Sequence, residues 1–212
     1  MGNLNHLSIL KTIAISILLI LCITCLPGQE SEIVFPDSSK WYFFELSGGI
    51  ASPPQYRYYT ISISGDTLIN DSAFRKIITT ETVITSPEIS RSMEMIYLGA
   101  IREDIQNKVI YFLSPGSSEE QLLYDFNWEI GDTVKGRLAL GFGTPDTIVN
   151  IDSVLVDSQY RKRWTINEGY DIHLIEGIGS TYGLIEPSPG DILDNSSIQL
   201  TCYQVANTPV YP

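Results

Sequence analysis

Alternating apolar and polar positions recur along most of this chain beyond its apolar N-terminal segment. Within residues 56–64, Ile61 and Ile63 fall on one face of an extended segment, and Ser62 falls on the other. A period of two residues is typical of a β-strand with one buried face. We therefore expect Ile61 and Ile63 to face the core, and we expect Gly65-Asp66 to form the turn of an antiparallel hairpin.

The same pattern predicts further strands, separated by clusters of Gly, Pro, Asn, Asp and Ser. The predicted segments are 41–46, 67–70, 74–84, 93–102, 108–113, 121–126, 133–140, 147–156, 160–166, 170–176 and 198–205. The only helical segment that we expect is a short turn near residues 117–121. Short strands joined by brief turns predict an all-β fold, an antiparallel meander that forms a barrel-like domain. The alternative is a two-sheet β-sandwich.

Residues 1–25 have the pattern of an export signal peptide. Lys11 precedes the apolar run 13–26, which is too short for a membrane span of about 20 residues but has the length of a signal-peptide core. Pro27-Gly28 and a polar stretch follow directly. We therefore interpret 1–25 as a signal peptide, 26–37 as a flexible tether and 38–212 as a single β-rich domain.

Cys25 is a candidate lipid-attachment residue. A lipoprotein signal carries a cysteine at the cleavage point, and the small Thr24 before it fits that pattern, whereas Cys22 stands where a leucine is usual. Ordinary cleavage shortly afterwards, for example after Gly28, is the alternative. Both readings predict an exported protein that is periplasmic, lipid-anchored in the outer membrane or extracellular.

The charge balance excludes some classes of partner. The chain has 13 Lys and Arg residues against 25 Asp and Glu, and loss of the signal peptide removes one lysine and no acid. Nucleic-acid binding needs clustered basic residues to neutralise phosphates, so we expect no nucleic-acid partner. We also expect no docking onto anionic lipid headgroups, which leaves a lipid anchor at Cys25 as the only predicted membrane contact.

The cysteine and histidine content argues against a disulfide scaffold and a zinc site. Only Cys202 is certain to remain in the mature chain, and alternation places it with Ile198 and Leu200, so we expect a buried, inert thiol. His173 and Asp171 share a strand face, but further His or Cys ligands for zinc are lacking. The Asp-Thr pairs at 66–67, 132–133 and 146–147 follow turns and match turn chemistry better than calcium loops. We predict no cofactor and no metal.

Aromatic residues crowd the first two predicted strands. Trp41, Tyr56 and Tyr58 are candidates for stacking against a ligand, because such rings hold sugars and apolar molecules in many β-rich binding modules. The competing interpretation is that these rings fill the core. The glycine-rich segment 176–187 lacks the following helix and basic residue of a phosphate loop, so we expect its glycines to let the backbone bend sharply or to pack beneath a large ring such as Tyr182.

Four short motifs occur in a characteristic order, and their order is more specific than any one of them. They are 100–104 (AIRED), 108–112 (KVIYF), 122–126 (LLYDF) with 131–133 (GDT), and 176–180 (EGIGS). Together they resemble an uncharacterised β-rich module of secreted Bacteroidetes proteins, which often precedes a C-terminal type IX secretion sorting domain. The likeness runs from about residue 41 to 187 and implies export and a β-rich fold, without implying an activity. This chain stops at Pro212 without a sorting domain, which favours the periplasm or a lipid-anchored envelope location.

The functional interpretation is an exported, non-catalytic cell-envelope or secreted β-module that binds a glycan, an apolar ligand or an envelope protein. One alternative is a carboxylate-dependent hydrolase that uses acids such as Asp125, Glu129 or Glu176, because paired carboxylates catalyse glycoside cleavage. The other is a structural subunit of an outer-membrane complex, which would present an exposed apolar patch.

Overall fold

A computed structural model describes residues 35–48, 54–85, 89–140, 145–167, 172–186 and 197–212. For residues 82–94 and 140 it describes the backbone only. Within these ranges the fold is all-β, and its strands pair antiparallel, so the predicted fold class is confirmed. The predicted signal peptide and most of the predicted tether lie outside the described residues.

In the described part of the chain, twelve strands form two antiparallel sheets. The eight-stranded sheet contains β1 (Ser39–Ser47), β2 (Gln55–Ile69), β3 (Ser72–Thr85), β4 (Ile89–Asp104), β5 (Val109–Leu113), β6 (Gln121–Asp125), β11 (Ser197–Val205) and β12 (Thr208–Tyr211). Its spatial order is β12-β11-β1-β2-β3-β4-β5-β6, a meander that curves into a half-barrel. The four-stranded sheet contains β7 (Ile148–Val156), β8 (Gln159–Ile166), β9 (Ile172–Ile175) and β10 (Gly179–Ser180). Its order is β10-β9-β8-β7, and the two sheets are consistent with both the barrel-like and the sandwich description.

One hydrophobic core is shared by the two sheets. The larger sheet contributes Trp41 and Ile61, the smaller sheet contributes Trp164 and Leu174, and all four side chains are fully buried. Ile63 is partly buried and packs against the same core. The predicted facing of Ile61 and Ile63 is therefore confirmed, and the strand alternation that gives it is the ordinary pleat of a half-buried sheet.

The first long hairpin turns later in the chain than the sequence pattern predicts. Gly65-Asp66 is not a turn, because β2 continues to Ile69 and Gly65 (φ +71°) lies in a bulge of the β2–β3 ladder. The chain reverses at Asn70-Asp71, whose φ values are +50° and +61°. A two-residue type I′ turn needs positive φ at both central positions, and Asn and Asp tolerate this conformation well.

The same turn chemistry closes two other hairpins. Asp157-Ser158 joins β7 to β8, as the sequence predicts, with φ values of +45° and +65°. Ala206-Asn207 joins β11 to β12, again with both φ values positive. Strand β12 was not expected from the sequence, because Pro209 interrupts its pattern, but a proline is tolerated on the edge of a sheet.

The predicted strand at 133–140 is replaced by a 3₁₀ helix at Gly136–Leu140, preceded by a single bridge between Thr133 and Thr147. Gly136 (φ +74°) approaches the Leu122 backbone so closely that a Cβ atom would collide with the Leu122 carbonyl oxygen. Glycine adopts this positive φ without strain and has no Cβ atom to collide. The helical turn predicted near 117–121 does not form.

The folded domain begins earlier than the predicted boundary at residue 38. Phe35 is fully buried and packs edge-to-face on Trp41, with ring centroids 5.0 Å apart. Its backbone N–H donates to Glu103 Oε1 at 3.1 Å, and its carbonyl accepts from Arg75, which also pairs with Glu103. Residues 35–37 therefore belong to the domain, because a buried ring and two backbone hydrogen bonds fix them.

The prediction that Cys202 is buried is wrong. Tyr42 pairs with Cys202, whereas Phe43 pairs with Leu200, so β11 carries one extra residue, Thr201, in a bulge. A one-residue insertion reverses the alternation of side chains. Leu200 and Tyr203 consequently face the core, while Cys202 is a half-buried free thiol on the opposite face.

Candidate functional site: an uncharged aromatic face

Alternation along β1 divides its four consecutive aromatic residues between two environments. Trp41 and Phe43 point inward and are at most 1% exposed, whereas Tyr42 and Phe44 point outward and are half-buried. Trp41 is thus a core residue, which corrects its prediction as a ligand-stacking ring. Its indole N–H is already used, since it donates to the Ile178 carbonyl at 2.6 Å.

Three outward rings meet on neighbouring strands. Phe44 of β1 pairs directly with Tyr58 of β2, and their ring centroids are 5.2 Å apart. Phe44 also stacks against Tyr56, with centroids 6.3 Å apart and an interplanar angle of 25°. Tyr58 is 50% exposed, so the cluster is open to solvent. The predicted residues Tyr56 and Tyr58 are brought together here, and Phe44 is the member that the sequence analysis missed.

Polar but uncharged groups surround these rings. We call the outward side of β1, β2 and β11 the outer aromatic face, whose uncharged members besides the three rings include Leu46, Thr60, Ser62, Gln199, Cys202, Gln204 and Tyr42. The Tyr42 hydroxyl donates to Gln204 Oε1 at 3.1 Å. Lys40 is the one formally charged side chain that alternation places on this side of the three strands as described, and its Nζ donates to Asn207 Oδ1. The face is thus nearly neutral in a strongly acidic protein.

The same side of the sheet continues onto β3 and β4, where alternation places Lys76 beside Ile78. Ile78 pairs with Ser62 on one side and with Tyr97 on the other, and Tyr97 is 42% exposed. Large exposed apolar side chains that cluster on one face indicate an interaction surface, whereas isolated ones do not.

A charged cluster occupies the opposite, inward side of the same strands. Arg57 lies between two acids, with Nη1 3.0 Å from Glu45 Oε2 and Nε 3.2 Å from Glu81 Oε2. The guanidinium also lies over the Tyr59 ring, 4.4 Å from its centroid. The Nε–H bond is not aimed at Glu81, so that contact is an ion pair without a hydrogen bond. Alternation therefore separates this charged layer from the outer aromatic face.

Glu186 completes the inward cluster. It accepts a hydrogen bond from the Tyr59 hydroxyl at 3.5 Å and from the Ile185 backbone N–H at 3.0 Å. Burial raises the pKa of the Glu186 carboxyl, against the lowering effect of the Ile185 and Glu186 backbone N–H groups and of Arg57. Burial likewise raises the pKa of the Tyr59 hydroxyl, and the nearby Glu186 charge adds to it. Loss of hydration on burial favours the protonated form of the Glu186 carboxyl, whereas the hydrogen bonds donated to it favour the ionised form.

The acids named in the hydrolase alternative do not come together. Asp125 accepts from the N–H groups of Asn127 in an exposed turn. Glu176 accepts from the Lys162 backbone at 3.4 Å, on the smaller sheet. Glu129 is exposed, and no hydrogen bond or ion pair among the described residues joins any two of the three acids.

The remaining predicted site residues have local structural roles or lie outside the described ranges. His173 Nδ1 lies 3.3 Å from Thr165 Oγ1 on the neighbouring strand, while Asp171 is outside the described residues. Asp132 accepts from the Glu129 N–H in a turn, as expected for turn chemistry. In the ranges that the structure covers, no group of three or more His, Cys, Asp or Glu side chains is placed to hold a metal ion.

Cys25 lies outside the described residues, so its lipidation stays a prediction. No helix in the described part of the chain has the length and apolar character of a membrane span. Comparisons with protein-family models, with curated proteins and with solved structures gave no match to this chain.

Proposed function

We propose that this protein is an exported, non-catalytic β-module that binds a neutral glycan on its outer aromatic face. The observation that carries the proposal is the contact of Phe44 with Tyr56 and Tyr58 on the solvent side of two paired strands. Aromatic rings present a flat apolar surface with a negative π face, which suits the C–H-rich side of a pyranose ring.

The polar surroundings of the rings favour a sugar over a purely apolar ligand. Gln199 is exposed and pairs with Phe44, and the hydroxyls of Thr60 and Ser62 lie along β2 on the same side. Amide and hydroxyl groups both donate and accept hydrogen bonds, so they complement sugar hydroxyls. The near absence of formal charge on this face favours neutral sugars over uronic acids or sulfated glycans.

Isothermal titration calorimetry of the natively exported protein tests this function. The probes are soluble hexasaccharides of cellulose, xylan, mannan and chitin, together with a uronic acid oligomer. We expect Tyr58→Ala to weaken binding of a neutral oligomer by about tenfold, because a stacking contact of roughly 1 kcal/mol or more is lost.

Tyr160→Ala is the matched control, because Tyr160 is an exposed tyrosine (79%) on the smaller sheet. An unchanged affinity in this variant with a loss in Tyr58→Ala supports the outer aromatic face. Absence of binding to every oligomer, or equal losses in both variants, would contradict the proposal.

Export is proposed from the signal-like residues 1–25 and from the resemblance to secreted Bacteroidetes modules. The intact mass of the protein recovered from its native host tests this. We expect loss of at least residues 1–24, and a diacyl or triacyl increment on Cys25 would identify a lipid anchor. A full-length mass would contradict export.

A carboxylate-dependent hydrolase is the second candidate, favoured by the raised pKa of Glu186 beside Tyr59. In that case Glu186 would act as the acid, and new reducing ends would accumulate when the neutral oligomers are incubated with the protein. Glu186→Gln would abolish this release. Stable oligomers over prolonged incubation would leave the binding module as the function.

A further inference from the structure

Strand β7 has a bulge between Ile148 and Asn150, and beyond it the outer edge from Asn150 to Val156 is the longest terminal-strand edge among the described residues without a device that blocks pairing. β7 is a terminal strand of the smaller sheet, and its outer backbone is hydrogen-bonded only at its start, where Ile148 exchanges hydrogen bonds with Gly131 and Asp132. Beyond Ile148, no strand among the described residues covers this edge. Exposed edges of this length are normally blocked by proline, lysine, a bulge or a covering segment.

The other terminal strands do carry such devices. β12 has four residues and contains Pro209, and β10 has only two residues. The edge of β6 is covered by a segment of the chain, because Gly136 of the 3₁₀ helix lies against the Leu122 carbonyl. In contrast, the segment from Asn150 to Val156 contains neither proline nor lysine.

The hairpin geometry shows which backbone groups of β7 point outward. Val156 and Gln159 flank the two-residue turn and therefore form a hydrogen-bonded pair. Because hydrogen-bonded and non-hydrogen-bonded positions alternate along an antiparallel strand, the N–H and C=O groups of Ile151, Ser153 and Leu155 point away from β8.

These three residues are self-complementary about Ser153. In an antiparallel pairing of two copies centred there, Ser153 faces its own equivalent and Ile151 faces Leu155 of the other copy, which gives three pairs of outward backbone groups. Asp152 then faces Val154 rather than another acid, and its charge is already matched by Arg163, whose Nε lies 2.8 Å from Asp152 Oδ1. Leu155 is 56% exposed and its partner on β8, Tyr160, is 79% exposed, so apolar surface next to the edge is available for burial.

We propose that two copies of this chain pair through β7 in this register and form one continuous eight-stranded sheet from their two smaller sheets. This dimer is isologous, since the same edge is used on both sides of a two-fold axis. It leaves the outer aromatic face free, since that face belongs to the other sheet, and so it is independent of the proposed function.

Sedimentation equilibrium of the full chain over a concentration series tests the dimer. We expect a monomer–dimer equilibrium for the wild type and for Ser153→Ala, which keeps the backbone N–H. Ser153→Pro removes the central outward N–H without breaking a bond to β8, and we expect it to shift the protein to monomer.

The far-ultraviolet circular dichroism spectrum and the thermal midpoint of Ser153→Pro verify that it folds. Leu155→Lys is a second variant. It keeps every backbone N–H of the edge but places a charged side chain there, and we expect it to weaken the dimer as well. A monomeric wild type at all concentrations, or a Ser153→Pro variant that folds and dimerises like the wild type, would overturn the proposal.

Discussion

The indole N–H of Trp41 donates a 2.6 Å hydrogen bond to the backbone carbonyl of Ile178, and this bond joins the first strand of the larger sheet to the segment before β10 of the smaller one. Both residues are fully buried. A buried carbonyl without a donor costs free energy, so this bond fixes where the smaller sheet sits against β1.

Replacement of Trp41 by phenylalanine tests that bond. We expect Trp41→Phe to lower the free energy of unfolding by about 2–4 kcal/mol, from an orphaned carbonyl and a small cavity. Urea melts measure it. Trp128→Phe is the control, because Trp128 is also a buried core residue but its indole N–H makes no hydrogen bond with a described residue. A loss as large as that of Trp41→Phe would contradict the assigned role.

Gly179 provides a second test of how the sheets meet. Its φ is +98°, and a Cβ atom added there would lie 2.9 Å from Tyr124 Oη and 3.1 Å from Leu184 Cδ1. Gly131 has a similar φ of +94° but open space around it. We expect Gly131→Ala to cost about 1–2 kcal/mol of stability from backbone strain alone. Gly179→Ala should cost about 1–3 kcal/mol more than Gly131→Ala, because the added methyl group overpacks the contact with Tyr124. Equal losses of stability in the two variants would show that this contact has room for a methyl group.

The facing of β2 is tested by adjacent residues. Ile61 is fully buried, whereas Ser62 lies on the outer face. We expect Ile61→Ala to lower the free energy of unfolding by roughly 2–5 kcal/mol through a core cavity. Ser62→Ala should stay within about 0.5 kcal/mol, since it makes no core contact. Denaturant melts of the two variants compare them directly, and similar losses would mean that both faces are equally buried.

The raised pKa of Glu186 predicts a pH dependence of stability. A carboxyl whose pKa is higher in the folded state favours folding while it is protonated, and this contribution is lost as the pH rises through the folded-state pKa. Glu186→Gln should therefore be more stable than the wild type at neutral pH, and the difference should shrink under acid conditions. Thermal midpoints from acid to neutral pH measure it.

Glu119→Gln is the control for that comparison, because Glu119 is exposed in the turn before β6. Its difference from the wild type at each pH is the reference against which the Glu186→Gln profile is compared. A Glu186→Gln variant with the same pH profile as the wild type would show that the carboxyl is ionised in the folded protein.

The sequence by itself determined the β class, most strand positions and the core facing of β2, because period-two alternation is a local property of the chain. It also separated Tyr58 from Ile61, since both lie in one regular strand. Alternation failed where a residue is inserted into a ladder. Because of the bulge at Thr201, the side chain of Cys202 lies on the outer side of the sheet. At Gly65 the chain forms a bulge instead of a turn, so β2 continues and the hairpin turns at Asn70-Asp71. Bulges depend on the partner strand, and a single strand's sequence does not reveal them.

Only the tertiary structure decided which aromatic rings meet. Trp41 and Phe44 are three residues apart in one aromatic run. Trp41 is hydrogen-bonded to Ile178 in the core, whereas Phe44 stacks on Tyr56 on the outer aromatic face. Gly179 packs beneath a large ring, as one of the two predicted roles has it, but the ring is Tyr124 on a strand distant in sequence, and the sequence offered only the nearby Tyr182 as an example. The pairing of Arg57 with Glu45 and Glu81 has the same origin, because the two acids lie on the two strands that flank β2. Pairing register sets all of these contacts, and register depends on turns, bulges and long-range packing together.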